Sequence, residues 1–279
     1  FFHRVDGRPH LFLEYVEGGT LDDRLDAGRM SLQDCMTFAL QICIGMEYAS
    51  SKLGLVHRDI KPQNILIGRD GAKVTDFGLS KAADVADIDL SHSSAPRRKS
   101  VDMTQLSVAG AITGTAPYMP PEQFLDIRKT DTQSDIYSFG VLLYQMLTGQ
   151  VPFKADNFLD YYELHANQAP ENPLTFNLDI PLTLSHLALA CLAKDKPGRP
   201  KNFTVVRKLL EQIYWEIFGK SFESLDRAAP SIQRLVGSAL SLISLSRFHD
   251  AAQRLYEILQ IESKNFLILK MAVEVELRR

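Results

Sequence analysis

Residues 57–64 of this 279-residue chain read HRDIKPQN, and residues 76–78 read DFG. The first stretch contains a carboxylate at Asp59 that can act as a general base, and a cation at Lys61. The amide of Asn64 and the carboxylate that opens the second stretch add two oxygen ligands of the kind that Mg²⁺ prefers. A base, a cation and two metal ligands are the groups that phosphoryl transfer from Mg-ATP to a hydroxyl requires.

The residues between these two stretches predict a β-hairpin. Residues 65–68 (ILIG) and 73–75 (KVT) have the composition of short strands, and residues 69–71 (RDG) have that of a turn. The loop before the hairpin would then hold Asp59, and the residues after it would hold Asp76.

At these residues the chain resembles the protein kinases. The family pattern is His-Arg-Asp, then Lys two residues on and Asn five residues on, then Asp-Phe-Gly, and the chain satisfies every term. The resemblance implies that Asp59 is the catalytic base and that Lys61 neutralises charge on the transferring phosphoryl group. It also implies ATP and Mg²⁺ as cofactors, with Asn64 and Asp76 as metal ligands and both, together with Lys61, in contact with the bound nucleotide.

Two features indicate serine and threonine rather than tyrosine as the residues modified. In the family, a lysine at the position of Lys61 accompanies serine/threonine specificity. Residues 114–119 read GTAPYM and resemble the segment in which a threonine, here Thr115, reaches the catalytic Asp and Lys. The alternative is that Thr115 is an ordinary loop residue.

Later segments resemble the rest of the family's large lobe. Residues 134–147 form an apolar run that predicts a buried helix, capped by Ser or Asp at its start and ended by Gly149. Asp135 would bind the backbone of the catalytic loop, which is the stretch of residues 57–64, or would serve only as a helix cap. Glu122 and Arg199 occupy the positions that the family joins by a buried ion pair, although the motif at Glu122 reads PPE rather than APE.

The N-terminal residues resemble the hinge that joins the two lobes of a kinase. Residues 14–21 read EYVEGGTL. The resemblance implies that adenine bonds to main-chain groups of Glu14 and Val16. Leu66 would form the apolar floor beneath the adenine ring.

Before the hinge, two short strands are predicted at residues 1–5 and 10–16, joined by a turn. The glycine-rich loop and the strand lysine that precede the hinge in the family do not occur in these residues. We therefore expect a chain that begins inside the small lobe, with residues 1–16 as the remnant of that lobe and of the hinge. We also expect little activity from the chain in isolation.

The large lobe is expected to span residues 17–218, with residues 79–113 as a long activation loop. The middle of that loop is polar and has no apolar period, which is typical of a solvated loop. Residues 97–100 (RRKS) resemble a phosphorylation site directed by basic residues, but an ordinary loop explains them equally well.

In residues 219–279 the organisation changes to an α-helical region. Small and apolar residues fall there at the spacing of a tetratricopeptide repeat: Leu235, Ala239, Leu242, Phe248, Ala251, Leu255 and Ile258. One such unit does not bury its own face, so these helices either belong to a longer array or form a plain hairpin that caps the kinase. The predicted fold is therefore α+β, a kinase-like helical large lobe with remnant small-lobe strands, followed by a repeat-like helical hairpin.

Composition agrees with a globular protein. The chain is 45% hydrophobic and 23% charged, and its net charge of −3 offers no argument for nucleic-acid binding. Cys35, Cys43 and Cys191 lie far apart without metal-ligand spacing, which predicts core thiols in a reducing compartment and a cytoplasmic location. No apolar run reaches the roughly 18 to 20 residues that span a bilayer.

Two functions remain open at this point. The first is a serine/threonine kinase that acts on protein substrates, with a possible protein partner at the C-terminal helices. The second is a pseudokinase scaffold that uses the kinase fold and the repeat helices only for binding. The intact set of Asp59, Lys61, Asn64 and Asp76 favours the kinase.

Overall fold

The computed structural model describes residues 2–5, 8–11, 15–69, 71–77, 114–222, 235–236, 239, 242–243, 247–261 and 266–276. The chain divides into two compact units, Phe1–Phe222 and Glu223–Arg279. Among the helices in the described ranges, none has both the length and the apolar character needed to cross a bilayer.

Two strands, two helices and two further strands are followed by helices along the chain. The strands are β1 (Phe2–Val5), β2 (Arg8–Leu11), β3 (Ile65–Gly68) and β4 (Gly71–Val74). The helices of the first unit are α1 (Leu21–Asp26), α2 (Leu32–Leu53), α3 (Pro121–Leu125), α4 (Thr132–Thr148), α5 (Phe158–Asn167), α6 (Leu182–Cys191) and α7 (Phe203–Phe218). The second unit contains α8 (Phe248–Ile261) and α9 (Phe266–Glu276).

The predicted hairpin is confirmed, with a small shift of its second strand. β3 and β4 pair antiparallel, with Gly68 opposite Gly71. β4 begins at Gly71, two residues earlier than predicted. Gly71 has a φ of 100°, a conformation that glycine adopts readily. Beyond the hairpin, the amide of Thr75 donates to the carbonyl oxygen of Asn64 at 3.0 Å. This bond holds the residue before Asp76 beside the end of the 57–64 stretch.

β1 and β2 also pair antiparallel, but the predicted bounds of the second strand are wrong. It begins at Arg8 rather than at residue 10, and Tyr15 and Val16 lie outside any strand, whereas residues 12–14 lie outside the described residues. The chain at Gly19 turns to run along β3, where the amide of Ile67 donates to the Gly19 carbonyl oxygen at 2.9 Å. A Cβ at Gly18 would collide with the carbonyl oxygen of Ile67, so this approach requires glycine.

α4 is buried along most of its length, as predicted, and ends at Gly149 in the left-handed conformation. The prediction that Ser134 or Asp135 caps this helix is wrong. The cap is Asp131, whose carboxylate accepts from two amides of the first turn, while the hydroxyl of Ser134 accepts from the Asp131 amide at 3.1 Å. Because Asp131 fills the capping position, the carboxylate of Asp135 is available for contacts elsewhere.

The core of the first unit lies between α2, α4, α6 and α7 and contains the three cysteines as buried thiols, as predicted. α4 and α6 approach each other at Gly140, where a Cβ would lie 2.6 Å from the Cβ of Cys191. Only glycine permits that distance. The helices of the first unit are therefore tightly packed at this point.

The second unit has a core of its own. This core consists of Ala239 and of small and branched apolar side chains of α8 and α9. They are Ala251, Ala252, Leu255, Ile258, Ile268, Ala272 and Val275. Leu235, Leu242 and Phe248 pack against this cluster. The residues that fall at the predicted repeat spacing therefore lie in this core or pack against it.

Candidate active site

Asp135 fixes the backbone of the stretch that contains the candidate base. Its carboxylate accepts from the amides of His57 and Arg58, both at 2.8 Å, and the residue is 1% exposed. Arg58 has a φ of 68°, a conformation that costs energy for a residue with a Cβ and needs support from its surroundings. Burial raises the pKa of Asp135 to about 7, and the two N–H bonds act in the opposite direction. The predicted grip on the loop is confirmed by these bonds.

Lys61 lies between the candidate base and the candidate substrate segment. Its Nζ is 3.0 Å from Oδ2 of Asp59 and donates to Oγ1 of Thr115 at 2.9 Å. Nδ2 of Asn64 donates to the same Asp59 oxygen at 3.1 Å and to the Asp59 carbonyl oxygen at 2.8 Å. Four predicted site residues therefore form one hydrogen-bonded group, although they span 57 positions of sequence (59 to 115).

His57 belongs to this group and was absent from the predicted site residues. Its Nδ1 accepts from the Asp59 amide at 3.2 Å, so Nε2 must carry the proton that is donated to the Thr75 carbonyl oxygen at 2.8 Å. Burial lowers the pKa of His57, in agreement with a neutral ring, and that ring lies 4.7 Å from the ring of Phe77. His57 thus joins the loop of Asp59 to the residues around Asp76.

Asn64 and Asp76 are suited to holding Mg²⁺. The amide nitrogen of Asn64 makes its bonds to Asp59, which leaves the carbonyl oxygen as the atom for a cation. Asp76 is exposed, has a φ of 60°, and follows Thr75, whose amide bonds to the Asn64 backbone. Two oxygen ligands fit Mg²⁺, which usually keeps several waters and binds substrate phosphates as well. Across the described ranges, no group of three or more His, Cys, Asp and Glu residues could hold a metal ion.

Val16 and Leu66 lie where the hinge segment meets the hairpin. Leu66 forms a β-bridge with Thr20, and a Cβ at Gly68 would lie 2.8 Å from Cγ1 of Val16. Both side chains are half-buried. Glu14 and the predicted activation loop, residues 79–113, lie outside the described residues.

The predicted ion pair between Glu122 and Arg199 is confirmed. Arg199 donates to both carboxylate oxygens of Glu122, at 2.8 and 3.1 Å, and the hydroxyl of Ser134 donates to Glu122 at 2.6 Å. Although burial raises it, the pKa of Glu122 stays below its ordinary value because of these bonds. Proline in place of alanine at position 120 does not disturb the pair.

The comparisons with known proteins agree with this geometry. The model of the protein kinase domain family matches residues 2–214. The chain is 33% identical over 223 residues to serine/threonine-protein kinase A of Synechocystis, a match that covers 75% of this chain and 39% of that protein. It is 40% identical over 166 residues to the serine/threonine-protein kinase PknL of Mycobacterium tuberculosis, covering 58% of this chain and 37% of that protein.

A probable serine/threonine-protein kinase of Clostridium acetobutylicum is 35% identical over 195 residues, which is 69% of this chain and 27% of that protein. The chain therefore spans well under half the length of the curated relatives that it matches. The family model, in contrast, covers most of the chain. On the evidence of this match and of the site described above, the chain belongs to the protein kinase domain family.

Proposed function

We propose that this chain carries the catalytic part of a serine/threonine protein kinase, which transfers the γ-phosphoryl group of ATP to serine and threonine hydroxyls of protein substrates. The observation that carries the proposal is the position of Lys61. Its Nζ contacts both the carboxylate of Asp59 and the hydroxyl of Thr115, so base, cation and substrate segment meet at one point. The relatives compared above are named as serine/threonine-protein kinases, or a probable one, and support the same activity.

In this proposal each side chain has a separate task. Asp59 orients the substrate hydroxyl and takes its proton onto the carboxylate. Asn64 keeps that carboxylate in place through Nδ2, and its oxygen would hold Mg²⁺ together with Asp76. Lys61 neutralises negative charge next to Asp59, and Thr115 fixes the end of the lysine side chain. Bound Mg-ATP supplies the phosphoryl group and part of the charge neutralisation.

The remaining assignments follow the same reasoning. The main chain of Glu14 and Val16 would bind adenine above Leu66, in a chain organised as a small-lobe remnant and hinge (1–16), a large lobe (17–218) and a helical region (219–279). The burial of Ala239 and Ala251 supports a tetratricopeptide-like region. Exposed apolar side chains at Leu269 and Val273 on α9 support the binding of a protein partner there.

The activity is tested with the protein at its natural length, labelled ATP and a generic serine/threonine substrate. Asp59→Asn should lower phosphate transfer by about 10²- to 10⁴-fold with ATP binding nearly intact, because only the base is lost. Asp76→Ala should in addition weaken Mg-ATP binding, because a metal ligand is lost. Asp34→Asn serves as the control and should leave the rate unchanged, because Asp34 lies on α2 with its side chain 44% exposed and contacts Arg24.

The two candidate functions predict different results. Transfer at the wild-type rate by Asp59→Asn would rule out the assignment of the base. A wild-type protein that binds Mg-ATP but transfers no phosphate would instead favour the scaffold.

A further inference from the structure

The side chain of Gln123, on α3, reaches the catalytic loop. Its Nε2 donates to the carbonyl oxygen of Arg58 at 3.0 Å, and the residue is 8% exposed. That carbonyl belongs to the peptide group that joins Arg58 to Asp59. Gln123 therefore acts on the backbone immediately before the proposed base.

Further backbone contacts around the base also come from side chains. Asp135 accepts from the amides of His57 and Arg58, the His57 ring accepts from the Asp59 amide, and Asn64 donates to the Asp59 carbonyl oxygen. Buried backbone groups need such partners wherever no helix or strand ladder supplies them. Side chains thus set the orientation of the peptide groups on both sides of Asp59.

The contact from Gln123 matters because Arg58 has an unfavourable backbone conformation. A φ of 68° is unfavourable for arginine and persists only if the surroundings hold it. Asp135 holds the amide of Arg58, and Gln123 holds its carbonyl. Loss of the second contact removes one of the bonds that hold the peptide group between Arg58 and Asp59, so the carboxylate of Asp59 is held less firmly.

Two further observations indicate that Gln123 does more than stabilise the fold. Oε1 of Gln123 is buried and has no hydrogen-bond partner in the part of the chain that the structure describes, which costs free energy. The neighbouring Glu122 is bound by the fully buried guanidinium of Arg199, so the backbone of Gln123 is rigidly anchored. Burial of the Gln123 amide thus costs free energy, while the backbone that carries it is held in place. Both observations agree with a side chain that positions the Arg58 carbonyl.

We propose that Gln123 is a positioning residue for Asp59. It holds the Arg58 carbonyl and so links α3, which follows the segment of Thr115, to the proposed base. The proposal rests on the kinase activity proposed above and extends it by one residue that acts through the backbone before Asp59.

The test compares Gln123→Met with a matched control in the protein at its natural length. Methionine is close to glutamine in shape but donates no hydrogen bond. The control is Gln133→Met, because Nε2 of Gln133 also donates to a backbone carbonyl, that of Lys196 at 2.8 Å, away from the catalytic loop. We expect Gln123→Met to lower kcat about tenfold with KM for ATP and substrate within about twofold of wild type, and Gln133→Met to leave kcat unchanged. Asp59→Asn in the same assay sets the baseline for loss of the base.

Hydrogen–deuterium exchange of the amides of residues 57–60 gives a readout that does not depend on catalysis. Exchange should be faster in Gln123→Met than in wild type, and unchanged in Gln133→Met. An unchanged kcat, or unchanged exchange at residues 57–60, would overturn the positioning role. If wild type transfers no phosphate, the proposed function fails, while faster exchange in Gln123→Met still supports the hold of Gln123 on Arg58.

Discussion

Removal of Glu122 should destabilise the first unit strongly, because it leaves a buried charge without its counter-ion. The side chain of Arg199 is 0% exposed, and that of Glu122 is 14% exposed. After Glu122→Ala, Arg199 would keep its bonds to the carbonyl oxygens of Gln133, Ala193 and Lys194. These dipoles do not replace a carboxylate, so the guanidinium would remain desolvated and poorly compensated.

The expected magnitude follows from that burial. Breaking a buried ion pair by removing one partner costs about 3 to 5 kcal/mol, whereas a solvent-exposed pair contributes about 0 to 1 kcal/mol. With an m-value of about 3 kcal/mol/M, Glu122→Ala should lower the urea midpoint by about 1 to 1.7 M. Glu17→Ala is the control, because its partner Arg69 is 89% exposed and the pair lies 3.1 Å apart at the surface.

The assay uses the fluorescence of Trp215, the single tryptophan of the chain, which lies on α7 in the first unit. A second variant carries Glu122→Leu together with Arg199→Met and should lose less stability than Glu122→Ala, since no unpaired charge stays buried. If Glu122→Ala shifts the midpoint no more than Glu17→Ala, the ion pair is not what holds α3 in place. The reasoning would fail equally if the double variant were the less stable of the two.

Three further predictions use the same urea assay. Gly140→Val should cost about 1 to 3 kcal/mol because its side chain would collide with Cys191, and a stable variant would contradict the close approach of α4 and α6. Ala251→Leu should destabilise the second unit, seen as lost helical circular dichroism, and leave the Trp215 transition unchanged; a shift of that transition would show that the two units do not unfold separately. Burial lowers the pKa of His165 to about 3, below its ordinary value, so the stability that the neutral ring contributes is present above pH 6.5 and is lost as the pH falls. Between pH 6.5 and 5 this amounts to about 2 kcal/mol, and His165→Gln should remove that part of the pH dependence.

The sequence predicted those parts of the site whose residues lie close together in the chain or in a recognisable motif. The hairpin between Asn64 and Asp76 could be predicted because its strands and turn are local, and glycine at position 71 explains the small shift of its second strand. The contact between Lys61 and Thr115 and the ion pair of Glu122 could be predicted only through the family resemblance. The spacing of apolar and polar residues along the chain does not indicate that these pairs are in contact.

The cap of α4 shows why local signals failed elsewhere. Asp131, Ser134 and Asp135 all have side chains that can cap a helix, and composition does not choose among them. The carboxylate of Asp135 accepts from the amides of His57 and Arg58 instead of capping the helix. Contacts 77 to 78 residues away in sequence therefore account for one of the three candidates.

The same reasoning explains why the sequence does not indicate the proposed positioning role of Gln123. Glutamine is common on protein surfaces, and only the fold brings the Gln123 amide 65 residues back along the sequence to the carbonyl of Arg58. The motif at residues 57–64 supplies the proposed base, cation and metal ligand, and its own His57 and Asn64 contribute to their orientation. Further contacts that set this orientation come from Gln123 on α3 and Asp135 on α4. The position of Asp59 therefore depends on the packing of the large lobe as much as on its own motif, and substitutions distant from the loop in sequence should change the rate without touching the reacting groups.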